Sequence, residues 1–325
     1  MGEESNNEEN ISPRTSNHWP SVLFQIYLHL SALYGLFLVF TQASLITTLF
    51  CILLVFLGTL GITLGSHRLW THRTYSASLP LRLFLAFCQT LTCQCSIFDW
   101  VVHHKVHHKF HGTRNDPSNY KLGFFYCHLA CHCMETDPEI ERLKRHIPVT
   151  DLEDDYVVYY QHWLYFLIMP VVGFLFPINF GMEYIGETAL VSVFVLGFLR
   201  VCLLLHASWL VDSAFLLWGL DPSDRKAGDT WLVFFVTKSL WPQYHYLLPW
   251  DYRSGEYGTY DTGCLNSILR VFAALGIAKE LTTISSAGVK DALAKSAKTG
   301  ESLTKCLEEY KFILPDILNQ DPENY

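Results

Sequence analysis

Charge is scarce in this chain, and the scarcity is uneven. Only 17% of the 325 residues are Asp, Glu, Lys or Arg, against about 25% in soluble domains. Residues 21 to 65 hold none across 45 positions, which excludes an ordinary soluble fold for that stretch. One membrane crossing needs about 20 apolar residues, so the stretch reads as two helices with a tight turn near Thr41-Gln42-Ala43-Ser44. A second apolar region, Trp163 to Gly219, breaks near Asn179 to Glu187 and reads as two more. The predicted spans are about 21–41, 45–65, 163–180 and 188–210.

Other signals are missing too. The first 20 residues are polar and acidic (Glu3, Glu4, Glu8, Glu9) and lack the cationic and then apolar order of a signal peptide, so a disordered tail is expected there. A net charge of −8 gives no support to nucleic-acid binding. His-Glu-x-x-His is absent, which excludes that class of zinc protease. The ten cysteines are scattered and are expected to be reduced thiols. Cys127-His128 and Cys131-His132-Cys133 suggest zinc, but no second Cys/His pair follows at finger spacing, so ordinary packing is expected. A haem would need a separated axial pair in the spans; His29 and His206 qualify only by being intramembrane. With His18, His146 and His162, His29 is expected to be a hydrogen-bonded structural residue.

The basic residues that are present sort by side. Arg14 precedes the first span, ten lie from Arg68 to Arg145, eleven from Arg225 to Lys311, and only Arg200 falls within a span. The two short turns carry none. Cytosolic loops collect Lys and Arg, so four spans with both termini cytosolic put 22 of the 23 on one side. Between the second and third spans, Leu79 to Phe98 is apolar but punctuated by Arg82, Gln89 and Gln94, and is expected to lie along the membrane surface. Residues 231 to 249 are apolar and aromatic and are expected to pack against the head, because a fifth span would move the C-terminal basic residues across the membrane. Residues 285 to 312 suggest an exposed surface helix.

Against this background six histidines stand out: His67 and His72 directly after the second span, and His103, His104, His107 and His108. Neutral imidazoles ligate iron, zinc or copper. On a helix His104 shares a face with His107 and His108, His103 pairs with His107, and His107 with His111. His67 and His72 are five apart, about 140° around an ideal α-helix, a spacing that suits two neighbouring metals or a helix end better than one chelating pair.

Long stretches resemble the membrane acyl-CoA desaturases, particularly the stearoyl-CoA type. The matching residues are Gly61-Ile62-Thr63, His67-Arg68-Leu69-Trp70-Thr71-His72-Arg73, Leu79-Pro80-Leu81-Arg82, Ser96-Ile97-Phe98-Asp99-Trp100 and His104-Lys105-Val106-His107-His108-Lys109. Asp116-Pro117, Gly123-Phe124-Phe125 and Pro249-Trp250-Asp251-Tyr252-Arg253 follow. The resemblance covers roughly residues 20 to 275. It implies an all-α integral membrane protein with four transmembrane helices and a cytosolic histidine-rich helical head (21–275), preceded by the tail and followed by a C-terminal helix or tail (276–325). It also implies an endoplasmic-reticulum membrane location, a diiron site, fatty acyl-CoA as substrate and cytochrome b5 as electron donor. In such enzymes the metal carries the oxidation, and the protein supplies ligands, an apolar tunnel and exclusion of water.

The chain departs from that pattern at both metal and substrate ends. The family's third histidine box reads His-Asn-Tyr-His-His; here Pro242-Gln243-Tyr244-His245-Tyr246 stands in its place. The family's Asn-Ser-Ala-Ala-His in the fourth span is Asp212-Ser213-Ala214-Phe215-Leu216. Of nine family histidines, His67, His72, His104, His107, His108 and His245 remain, with Asp212 as a further candidate ligand. Near the acyl-CoA site Cys95, Val102 and His103 replace an Asn and an Arg-Asp pair; Trp100 persists, and Lys121 is left to take part of the phosphate-binding role of the lost Arg. Since a fold can outlast its chemistry, two readings stand: a desaturase with retained or weakened activity, and a pseudoenzyme that binds acyl chains or a desaturase partner and modulates lipid metabolism.

Overall fold

The structure, a computed structural model, describes residues 16–217, 245–257, 261 and 263–314. Of the tail expected at 1–20, residues 1–15 lie outside the described residues, while Asn17 bridges Met134 and a helix starts at Trp19; residues 231–244, with Pro242 among them, and the last residues from 315 also lie outside. Among the described residues four helices are long and apolar enough to cross a membrane: Trp19–Thr41, Leu45–Thr71, Tyr165–Ile185 and Ala189–Ala214. The chain is an all-α membrane protein with a histidine-rich head, as its charge pattern implied.

The second span runs past the predicted end at 65. Hydropathy falls at Ser66, His67 and Arg68, but all three are buried in the head, and the chain continues as a π-helix over Gly61–Thr71. The third span widens in the same way. Pro170 has no N–H to close an α-turn, and Pro170–Leu175 is π-helical.

The first and fourth spans pack through Leu28, Ala32, Leu38, Val191, Val195, Leu196 and Leu199. Their approach depends on Gly35, where a Cβ would overlap the Phe194 carbonyl. Gly61 is pressed equally hard against the backbone of Cys88 and Gln89. At the end of the bundle away from the head, Glu187 accepts from Ser44 N (3.0 Å) and Thr47 Oγ1 (2.7 Å), tying the two turns together. Arg200, the one basic residue predicted inside a span, is fully buried. Its guanidinium donates to the carbonyls of Leu196, Leu91 and Gly173, which replaces the water it gave up.

The head begins where Leu79–Thr90 lies across the bundle. It turns Leu79, Leu83, Phe84 and Phe87 outward and buries Leu81, Leu85 and Cys88, the two-sided pattern of an interfacial helix. Helix Ile97–Lys109 follows, its N-cap Ser96 accepting from Asp99 N. The head core gathers Leu64, Leu69, Trp70, Leu85, Ile97, Val101, Val158, Tyr252 and Leu269.

The C-terminal region is more tightly bound than the exposed helix or tail the sequence suggested. Ser76↔Lys279 and Ala77↔Ala278 form one antiparallel ribbon, and Thr282↔Ile313 and Thr283↔Phe312 another. Two helices, Ser286–Thr299 and Leu303–Glu309, are separated at Gly300 (φ 74°), a left-handed C-cap. The Lys- and Glu-rich composition described their outer faces, while Ile284, Ala292, Cys306 and Leu307 are buried with Leu248 and Trp250.

These contacts set a test of the packing. Gly61→Ala and Gly35→Ala are expected to destabilise the protein by about 1–3 kcal/mol each through overpacking. Gly197→Ala, whose added Cβ meets Ile178 Cδ1 at an ordinary 3.4 Å, is expected to leave the thermal midpoint unchanged. Heating the detergent-solubilised protein and following the surviving monodisperse peak by gel filtration measures all three.

Candidate metal centre

His67 and His72 leave the second span on its π-helical end. There the hydrogen bonds run from residue i to i+5, and His72 N bonds His67 O at 3.0 Å. Residues five apart therefore stack on one face, and the two rings sit 4.7 Å apart. Of the two arrangements their spacing suggested, two neighbouring metals or a helix end, His72 is at a helix end, as the C-cap of Gly61–Thr71. His104 and His108, four apart on helix Ile97–Lys109, approach from a second side with their Nε2 atoms 3.1 Å apart. His245 closes the set, its Nε2 3.1 Å from His108 Nε2 and 3.4 Å from His67 Nε2.

These five imidazoles bring one nitrogen each to within 4.8 Å of all the others. Nitrogens this close, offered by neutral rings, form a donor set that could hold a cation between them. His72 Nε2 is buried with no hydrogen-bond partner among the described residues. Burial and the neighbouring rings hold His72, His108 and His245 well below the ordinary histidine range, and His104 falls to about 4. Neutral imidazole is the form that ligates.

Carboxylates stand behind two of the rings. His67 Nδ1 donates to Glu256 Oε1 at 2.9 Å, and His104 Nδ1 faces Asp212 Oδ1 at 3.1 Å. Such partners fix the ring so that Nε2 presents its lone pair to the centre. Glu256 is itself held by Arg68, through Nε (2.6 Å) and Nη2 (2.9 Å), with Arg68 Nη1 donating to Tyr252 O at 3.0 Å. Burial alone would raise the Glu256 pKa, but Arg68 and His67 outweigh it and keep the carboxylate charged. The donor set fits one transition-metal ion.

His107 does not join it. Its Nδ1 is bound to Asp116 Oδ1 (2.7 Å) and its Nε2 to the Tyr246 hydroxyl (2.9 Å). Burial disfavours its charged form, but Asp116 and Asp212 more than offset that and push it up to about 9. His111 stacks on Tyr246 with ring centres 3.6 Å apart. Asp116 also accepts from Gly112 N and Ser118 N, and Asp212 Oδ2 accepts from Ser118 Oγ at 3.3 Å. Leu216 packs with Tyr120 and Ala214.

A cavity of about 360 Å³ opens beside the centre, lined by Trp100, His103, His104 and Asp212 at one end and by Phe24, Gln25 and Leu205 at the other. Trp100 stacks on His104 with centres 4.9 Å apart and donates to Ser208 Oγ. Lys144 is the basic residue on its wall. Lys121 is exposed and outside that lining.

The chain is 38% identical over 269 residues to the acyl-CoA Delta-9 desaturase of Acheta domesticus, covering 82% of this chain and 75% of that one. It is 38% identical over 281 residues to the acyl-CoA Delta12-desaturase of the same organism (86% and 79%). Identity to the stearoyl-CoA desaturase of Homo sapiens is 34% over 297 residues (90% and 81%). The chain belongs to the acyl-CoA desaturase family. No family model matches it.

Within this desaturase fold the predicted ligands divide. His67, His72, His104, His108 and His245 converge, while His107 and Asp212 lie around that centre with other partners. Pro242 lies outside the described residues. Sequence reasoning missed Glu256, Asp116 as the partner of His107, and Lys144. Asp116 was legible as part of Asp116-Pro117. Glu256 had a weaker signal, an acidic residue shortly after Trp250-Asp251-Tyr252-Arg253. Cys127 and Cys131, weighed as zinc ligands, turn their thiols to the carbonyls of Ser118, Asp212 and Cys127.

Glu256→Gln should weaken metal binding about 10–100-fold, the usual effect of losing a partner behind a ligating histidine. It should also destabilise the fold by about 3–5 kcal/mol by stranding Arg68. Metal titration of the purified protein and its thermal midpoint read the two effects separately.

Proposed function

We propose that this protein is a fatty acyl-CoA-binding desaturase relative of the endoplasmic-reticulum membrane, multi-pass with both termini cytosolic. Its five-histidine centre holds a single metal ion, iron by family precedent, and it has lost efficient desaturation. The observation that carries this reading is the hydrogen bond between His107 and Tyr246. Where the family's ligands would assemble a second iron, the remaining imidazole spends both nitrogens on Asp116 and a phenol. Leu216 adds a side chain with no donor atom. His107, His111 and Asp116 also bring donor atoms within 4.8 Å of one another, but three donors with His107 already bonded on both sides are a poorer set than the five-histidine centre, and no ion is assigned to them.

What remains is binding. The cavity runs from the metal centre to apolar residues of the first and fourth spans, with Trp100 against the ligand His104 and Lys144 on its wall. An acyl chain suits its apolar end, and a cation on the wall suits the anionic head of a coenzyme A thioester. Trp100 and Lys144 are the binding residues of this reading. Lys121, exposed outside the lining, is placed to meet a phosphate only beyond the cavity. The intact five-histidine set favours the second reading, a working desaturase drawing electrons from cytochrome b5.

Iron analysis of the purified protein is expected to give one iron per chain, and expression in desaturase-deficient yeast is expected not to restore growth without added unsaturated fatty acid. Two irons per chain together with rescue would overturn the proposal. Restoring Pro242→His, Tyr246→His and Leu216→His together should raise the metal count towards two.

A further inference from the structure

A second group of donors lies outside this centre, within the membrane half. Cys202 and His206, four apart on the fourth span, share one face, and His29 meets them from the first span. One ligand atom from each lies within 4.8 Å of the others, and the Nε2 atoms of His29 and His206 are 3.1 Å apart. The hydrogen bonds around them fix where the protons are. Ser213 Oγ gives its one hydrogen to Trp209 O (2.8 Å), so it accepts from His128 Nδ1 (2.9 Å). His128 Nε2 is then an acceptor, and it takes the proton of His206 Nδ1 (2.9 Å). His29 Nδ1 donates to the Gln25 carbonyl (2.7 Å), which can only accept. In their neutral forms both rings are thereby left with bare Nε2 lone pairs pointing at each other, beside a buried thiol.

We propose that His29, Cys202 and His206 form a metal site between the first and fourth spans that takes copper(I). Two Nε2 atoms 3.1 Å apart, each about 2.0 Å from one ion, subtend about 100°. Each imidazole has a hydrogen-bonded far nitrogen, the support that ligating histidines require. A thiolate selects soft ions, and imidazole suits copper as well as zinc. Charge decides between them. Thiolate, two neutral imidazoles and copper(I) sum to zero, whereas zinc(II) would leave a net positive charge among apolar helices, where charge is expensive. The ion pins the first span to the fourth beside the cavity, since Gln25, one turn before His29, and Leu205, next to His206, line it.

The test uses the full-length protein in detergent, supplied with copper(I) anaerobically and examined by X-ray absorption and copper counting. The five-histidine centre has no sulfur donor, so a copper–sulfur shell does not arise there, and the cysteine variants tell this site from the other thiols. The wild type should show that shell. Cys202→Ser should lose it together with one copper per chain, and His29→Gln, a change on the other span, should do the same. Cys51→Ser and Cys131→Ser should keep it. Absence of the shell in the wild type, meaning that a shared proton rather than a metal sits between the rings, would overturn the proposal. So would a shell that survives Cys202→Ser or disappears in Cys131→Ser, or preferential uptake of zinc(II) in competition.

Discussion

The contact on which the head depends is the buried pair of Arg68 and Glu256. It joins the end of the second span to a segment nearly two hundred positions later in the chain, and through His67 it reaches the metal centre directly. An ion pair in such a place contributes little net stability against an apolar substitute of the same shape. Its value here is positional. The carboxylate accepts from His67 and from two guanidinium nitrogens at once, and Arg68 continues to Tyr252 O and Asn266. One charge network thus sets the angle of an imidazole and the docking of the segment that supplies His245.

On the proposed reading, the surroundings of His107 keep their packing without a second ion. A buried histidine deprived of its metal cannot be left unbonded without cost. Tyr246 supplies an oxygen at hydrogen-bonding distance to His107, and the ring of His111 closes over the phenol. Asp116 keeps the other nitrogen and two backbone N–H groups. His107 and Asp116 are satisfied in this way, while both ring nitrogens of His111 are buried without a hydrogen-bond partner among the described residues.

Much of the architecture was legible in the sequence because the bilayer penalises charge so strongly. The absence of Asp, Glu, Lys and Arg over 45 positions and the one-sided distribution of basic residues gave four spans and a head. The spacing of His104 and His108 gave a shared face, since the α-helical rule holds there. The same rule misled for His67 and His72, because the turn at Gly61–Thr71 is wider than α and nothing in its composition announces that. The partnership of His29 with His206 was out of reach for another reason. It depends on how two spans rotate against each other, which is decided by close approaches such as Gly35 on Phe194 and not by hydropathy. Residues outside the spans that serve the ligands, Glu256 above all, carry only the weak signal of lying near a matching segment.

Arg200 has a consequence for how the bundle assembles. A guanidinium carried into hydrocarbon needs acceptors on arrival, and this one takes them from its own helix, from the interfacial helix at Leu91 and from the third span at Gly173. Both outside acceptors precede it in the chain, so they are already synthesised when the fourth span emerges from the ribosome. The planar fork reaches three directions, which the single ammonium of a lysine does not. The fourth span therefore has most to gain by settling against a bundle that already presents those carbonyls.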